Sequence, residues 1–191
     1  MDEEQLVQGL RSRDLAAVRQ IVASYGDRLF RSACLLSGDQ AEAEDLVQET
    51  LLQAVRAASR FRGGSSVYTW LHGILLNLTR HYHRDRKRMV YDNELACQTA
   101  SAPEERPSAL DLEASSSALA NALARLSGLH REVLVMRFYE DMKIHEIAAH
   151  LGISKGTVKS RLHYAIAEMQ QRLPAEMNLF GAGGTEEKAK R

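Results

Sequence analysis

The chain has 191 residues, of which 45% are hydrophobic and 26% charged, with 25 basic and 25 acidic side chains balancing to zero net charge. That size and composition fit one medium or two small soluble domains and exclude wholesale disorder, and the balance excludes a uniformly basic nucleic-acid coat. The apolar runs are too short for a transmembrane helix, the acidic start MDEEQLVQGL lacks the order of a secretory signal, and two distant cysteines, Cys34 and Cys97, give no disulfide or metal framework, so a cytoplasmic location is expected.

Charge is segregated along the chain. Asp39, Glu42, Glu44, Asp45 and Glu49 form an acidic block, followed by a basic one of Arg80, Arg84, Arg86, Lys87 and Arg88. Residues 92–113 are acidic again, and Lys155, Lys159, Arg161 and Arg172 make a second basic stretch. Local sign of this kind selects the partner of each surface.

The first helix is expected from Asp14 as N-cap, with Leu15, Val18, Val22, Tyr25, Leu29, Ala33 and Leu36 at three- and four-residue steps, ending at Ser37-Gly38. A second begins near Asp39, with Leu46, Val47, Thr50, Leu51 and Ala54 inside and acids in the turns that the helix dipole favours. Arg62-Gly63-Gly64-Ser65-Ser66 reads as a loop. A third helix is expected over 67–88, with Trp70, Leu71, Ile74, Leu75 and Leu78 inside. Residues 91–117, with Pro103 and Pro107 and no sustained apolar period, read as an acidic linker that has room for a short helix. Helical periodicity returns at Ala118, and residues 176–191 form a polar tail. The fold class is all-α, with two small helical domains over 1–90 and 118–175.

The most informative stretch is MKIHEIAAHLGISKGTVKSRLHYAIAEMQQRL, Met142 to Leu173. Ile144, Ile147, Ala148 and Leu151 make one short apolar face. Gly152 suits a left-handed break, and Ser154 caps a second helix with Val158, Leu162, Ala165, Ile166 and Met169 inside. This is the pattern of a helix-turn-helix, and the outer residues Lys155, Thr157, Lys159, Ser160 and Arg161 offer donors for base edges and cations for phosphates.

LSGLHREVLVMRFYEDMKIHEIAAHLGISKGTVKSRLHYAIAEMQQRL resembles region 4 of the extracytoplasmic-function sigma factors of bacterial RNA polymerase. AEDLVQETLLQAVRAASRFRGGSSVYTWLHGILLNLTRHYHRDRKR, Ala43 to Arg88, resembles their region 2. The resemblance implies a three- or four-helix region 2 bundle, a linker, and a region 4 helix-turn-helix. It also implies docking of the DLVQET helix on the clamp of the polymerase's largest subunit, with region 4 near its flap. Asp45, Gln48, Glu49 and Gln53 would carry that docking, with Leu52 beside them; Leu46 is either a contact or core.

The −10 element would be opened and held by Arg60, Phe61, Arg62, Ser65, Ser66, Tyr68, Thr69 and Asn77, since an extruded base needs polar partners and a stacking wall. Trp70 is either a stacking surface or core. Arg80, Arg84, Arg86, Lys87 and Arg88 would meet phosphates. The segment GILLNLTRHYHR departs from the family at Gly73, Leu76 and His81, where basic, polar or acidic residues are common. The −35 element would be read by Ser154, Lys155, Thr157, Lys159, Ser160 and Arg161, with Arg131 on the backbone and Arg137 in a surface ion pair.

The implied function is an alternative sigma factor that directs promoter-specific initiation, typically in stress responses and under an anti-sigma factor that is often membrane-bound. A stand-alone helix-turn-helix regulator leaves the acidic helix and the Gly-Gly loop without a role. No nucleophile elbow, Walker motif or metal-ligand spacing occurs, so neither enzymatic activity, a small-molecule substrate, a cofactor nor a metal is expected.

Overall fold

The computed structural model describes the backbone of residues 2–96 and 114–173, with side chains described over 2–84 and 119–173. All regular elements among the described residues are helical. The chain divides into two compact units, Met1–Arg106 and Pro107–Arg191.

The first unit opens with a helix that the sequence reading did not anticipate. Helix α1, Glu3–Ser12, starts in a reciprocal cap, with the Asp2 carboxylate accepting from the Gln5 N–H and the Gln5 side chain from the Asp2 N–H. Its Leu6, Val7 and Leu10 are buried. Helix α2, Leu15–Ser37, is capped by Asp14 at one end and by Gly38 in the left-handed conformation at the other. Helix α3, Gln40–Ala57, is capped by Asp39 and runs into a 3₁₀ turn, Ala58–Arg60. Helix α4, Val67–Ala96, follows the Gly-Gly loop. The expected stop at Arg88 is exceeded because residues 89–96 contain neither Pro nor Gly and nothing there breaks the backbone ladder.

Helix α2 packs on α1, α3 and α4, and Ile21, Leu29 and Leu36 of α2, Leu71, Leu75 and Leu76 of α4, Leu46 of α3 and the α1 residues are all buried. Each such side chain contributes roughly 1.5–3 kcal/mol on leaving water. The polar groups inside are paired. Ser32 Oγ meets His72 Nε2 at 3.1 Å, and the Thr50 and Thr79 hydroxyls donate to the carbonyls of Leu46 and Leu75. The buried His72 is thus a core hydrogen-bonding residue.

Gly9 faces Ala17 of α2 closely enough that a methyl at this position would collide with the Ala17 Cβ. Gly9→Ala is therefore expected to push the helices apart and destabilise the unit by roughly 1–3 kcal/mol, read as a lower urea midpoint.

The second unit contains α5 (Ala114–Ala124), α6 (Gly128–Leu134), α7 (Ile144–Leu151) and α8 (Lys155–Arg172). The last turn of α6 widens into a π-helical turn, Val135–Tyr139, which ends with Asp141 at a φ of 52°. Val133, Met136, Ile147, Val158, Ala165 and Met169 fill the core. His130 Nδ1 meets Glu168 Oε2 at 3.1 Å, and Arg172 pairs with the same carboxylate at 2.7 Å, which ties α6 to the end of α8.

Candidate nucleic-acid interface

The α7–turn–α8 segment has the expected helix-turn-helix geometry. The Glu146 carboxylate accepts from the Lys143 N–H at 2.6 Å and starts α7. Gly152 takes a φ of 64° and lets the chain reverse, while the Ile153 N–H donates to Ala148 O at 3.0 Å. Ser154 Oγ accepts from the Thr157 N–H at 3.0 Å and lies 2.9 Å from its hydroxyl. Ser154 and Thr157 therefore spend part of their polar capacity on starting α8. Lys155, Lys159 and Ser160 are exposed beside them, and Arg161 is half-buried. Among the described residues, no ion pair engages Lys155, Lys159 or Arg161. Lys155 and Lys159, one turn apart, present two uncompensated cations on one side of the helix start.

Arg131 does not join them. It is 5% exposed. Its Nε donates to Leu123 O at 2.9 Å, and its Nη2 donates to the carbonyls of Ala124 and Leu126. Burial lowers its pKa. The guanidinium closes the open end of α5 instead of facing a phosphate, which corrects the expectation for this residue. Arg137 donates to Met142 O at 3.1 Å and lies 3.9 Å from Asp141, so its expected ion pair is present.

In the first unit, Asp45, Gln48 and Leu52 are exposed on α3, with Glu49 and Gln53 half-buried among them. Positions 45, 48, 49 and 52 recur at three- and four-residue steps and so share one side. Gln53 donates to Glu49 Oε1 at 3.2 Å, and Arg56 lies 3.5 Å from the same oxygen. Leu52 leaves about half its area in solvent (51%) amid the acids. Leu46, on the flank of that side, is 5% exposed, so it belongs to the core and is corrected as a docking contact.

The loop before α4 is held at its ends and open in the middle. The Phe61 ring packs on Trp70 at 4.9 Å between centroids. Trp70 is half-buried, and Phe61 occupies part of its surface. Ser66 Oγ accepts from the Thr69 N–H and lies 2.9 Å from its hydroxyl, capping α4. Arg60, Arg62, Ser65 and Ser66 are exposed. Tyr68 is buried against Tyr25 and lies under the Arg28 guanidinium, 4.0 Å from its ring centroid. It is a packing residue, so its expected role as a base reader is corrected. Along α4, Asn77 is exposed, Arg80 is half-buried, and Arg84 hydrogen-bonds to His81 Nδ1. Arg86, Lys87 and Arg88 lie on α4, but their side chains fall outside the described set.

Two residues absent from the sequence reading flank this loop. Arg11 of α1 donates to Ala58 O and Phe61 O, and Glu3 accepts from the Val67 N–H. These contacts span 47 to 64 residues, so no local pattern announces them. Among the described residues no cluster of three or more His, Cys, Asp or Glu is arranged to hold a metal, and no helix is long and apolar enough to cross a membrane.

These features define a two-unit helical protein with a helix-turn-helix DNA-binding element. Residues 21–89 match the Sigma-70 region 2 family and residues 122–171 match Sigma-70, region 4. The chain is 34% identical over 171 residues to the ECF RNA polymerase sigma factor SigL of Mycobacterium tuberculosis, covering 87% of this chain and 94% of the relative. The solved sigma factor RpoE of Bartonella quintana, in complex with the anti-sigma factor NepR, superposes with a TM-score of 0.64 at 31% identity, covering 81% of this chain and 94% of that one. CnrH, solved with the cytosolic domain of CnrY, gives 0.62 at 27% identity over 88% and 95% of the two chains. The chain belongs to the extracytoplasmic-function sigma factors of bacterial RNA polymerase. It is an alternative sigma factor, a transcription-initiation protein and not an enzyme.

Proposed function

We propose that this sigma factor joins core polymerase through the Asp45, Gln48, Glu49, Leu52 and Gln53 side of α3. It would read the −10 strand with the Arg60–Ser66 loop together with Thr69 and Asn77. Arg80, Arg84, Arg86, Lys87 and Arg88 would lie along the promoter backbone. The −35 element is assigned to Ser154, Lys155, Thr157, Lys159, Ser160 and Arg161. The assignment to DNA is carried by one observation, the uncompensated cations on the exposed start of α8. The functional division is region 2 over 1–90, a linker over 91–117, region 4 over 118–175 and a tail over 176–191. The linker sets the spacing between the two promoter contacts, and bond-forming chemistry resides in the polymerase.

The likeness to a sigma factor solved in complex with an anti-sigma factor supports control of this chain by an anti-sigma protein, which would cover the polymerase-facing surface. The site of action is the cytoplasm, where the polymerase works.

Arg161→Ala is expected to lower promoter-directed transcription about 10- to 100-fold, the range of a lost base or phosphate contact worth about 1–3 kcal/mol. Core affinity should be unchanged. Transcription equal to wild type in a reconstituted assay would remove Arg161 from the DNA-reading set.

A further inference from the structure

Both ends of the Phe61–Ser66 loop are fastened to α1. On the upstream side, Arg11 Nε donates to Ala58 O at 3.2 Å and Nη2 to Phe61 O at 2.8 Å. The planar fork thus bridges two carbonyls across the 3₁₀ turn that leads into the loop. On the downstream side, Glu3 Oε2 accepts from the Val67 N–H, the first of α4, at 3.3 Å. The other Glu3 oxygen accepts from the Tyr25 hydroxyl at 3.5 Å, which anchors the carboxylate to α2 as well. Burial and the Glu3 charge both raise the Tyr25 pKa, so the hydroxyl keeps its proton for that bond.

Between these clamps Arg62, Gly63, Gly64 and Ser65 are exposed. Gly63 has a φ of 73°, and a Cβ added at either glycine would meet nothing within 4 Å. The loop interior therefore owes its shape to its ends rather than to packing. A cavity of about 600 Å³ separates it from α1, with Gln5, Gln8 and Arg11 on one wall and Arg62, Gly63 and Ser65 on the other.

We infer that α1 is a strap that sets the conformation of the promoter-reading loop, with Arg11 and Glu3 as positioning residues for −10 discrimination. This inference rests on the assignment of the loop to the −10 strand. Freed at either end, a glycine-rich segment samples many conformers, and only a fraction of them present Arg62 and Ser65 as the bound strand requires. Arg11 and Glu3 bury no large apolar surface of their own, so loosening the loop and unfolding the bundle are separable.

The test uses Arg11→Met and Glu3→Gln proteins reconstituted with core polymerase. The template is a promoter selected by the wild-type holoenzyme from a genomic library, together with its single-base −10 and −35 variants. Each α1 variant is expected to lose about tenfold in discrimination among −10 sequences, the equivalent of one hydrogen bond to a charged group. Discrimination at −35 and core affinity should stay within twofold of wild type, with the thermal midpoint little changed. Arg11→Lys should restore part of the loss. A parallel Arg62→Ala, Ser65→Ala double variant reports on the loop itself. If it alters −10 discrimination while both α1 variants behave as wild type, the strap is overturned and the loop assignment stands. If neither class alters it, both fall. Equal losses at −10 and −35 with a lowered midpoint would reduce α1 to a stabilising helix and also overturn the inference.

Discussion

Charge reversal of the α3 acids, Asp45→Lys with Glu49→Lys, is expected to cut core-polymerase affinity by at least 100-fold. Asp45 is exposed and Glu49 half-buried on a helix side that also shows Leu52. Placing like charges across an interface costs several kcal/mol, and 1.4 kcal/mol is a factor of ten. The fold should survive. Among the described residues Glu49 pairs with Arg56 and Gln53 of its own helix, and such exposed pairs contribute about 0–1 kcal/mol. A pull-down with purified core, run beside a thermal melt, separates the two effects. Unchanged core affinity would remove this side of α3 from the docking surface. Leu52→Ser should weaken binding without a change in charge, because truncating an apolar contact mainly speeds dissociation.

Arg131→Met is expected to destabilise the second unit by about 3 kcal/mol or more, since several hydrogen bonds from a buried guanidinium are lost together. The side chain reaches the carbonyls of Leu123, Ala124 and Leu126, which lie at and just beyond the C-terminal end of α5, beyond the regular helical ladder. Met replaces much of the volume but none of the donors. Arg131→Lys should fail almost as badly, because a single ammonium on a flexible stem does not reproduce a fork that spans three acceptors. The expected outcome is a lower urea midpoint for the second unit and loss of −35-dependent transcription, with core binding retained through the first unit. A variant with a wild-type midpoint that still lost DNA binding would return Arg131 to the phosphate contacts.

The elements legible in the sequence are those governed by near neighbours. Asp14, Asp39 and Ser154 accept from N–H groups two or three residues ahead; the caps at Asp14 and Ser154 are expected from residue type, and Asp39 caps the helix expected to begin near it. Gly38 and Gly152 end helices in the left-handed conformation for the same local reason. The DLVQET stretch of α3, the Gly-Gly loop and the α7–α8 motif are likewise short-range patterns, and they carried the family resemblance, whereas the expected inner stripe of α2 fails at Leu15 and Val22, which are exposed. The missed α1 shows the limit of scanning for long periods. Its cap at Asp2 and Gln5 and its buried Leu6, Val7 and Leu10 were present in the sequence, but ten residues make a weak signal.

Tertiary structure decided what no local pattern encodes: which side of each helix is turned inward, and which distant groups meet. Leu46 and Leu52 are both leucines on α3, yet one is core and the other faces solvent, because only one side of α3 meets α2 and α4. Tyr68 and Arg131 looked like binding residues by type, and packing enclosed both. Arg11 found its carbonyl partners across 47 and 50 residues. Side-chain chemistry and local hydrogen bonding are written along the chain. Burial is a property of surfaces that come together only when the helices pack.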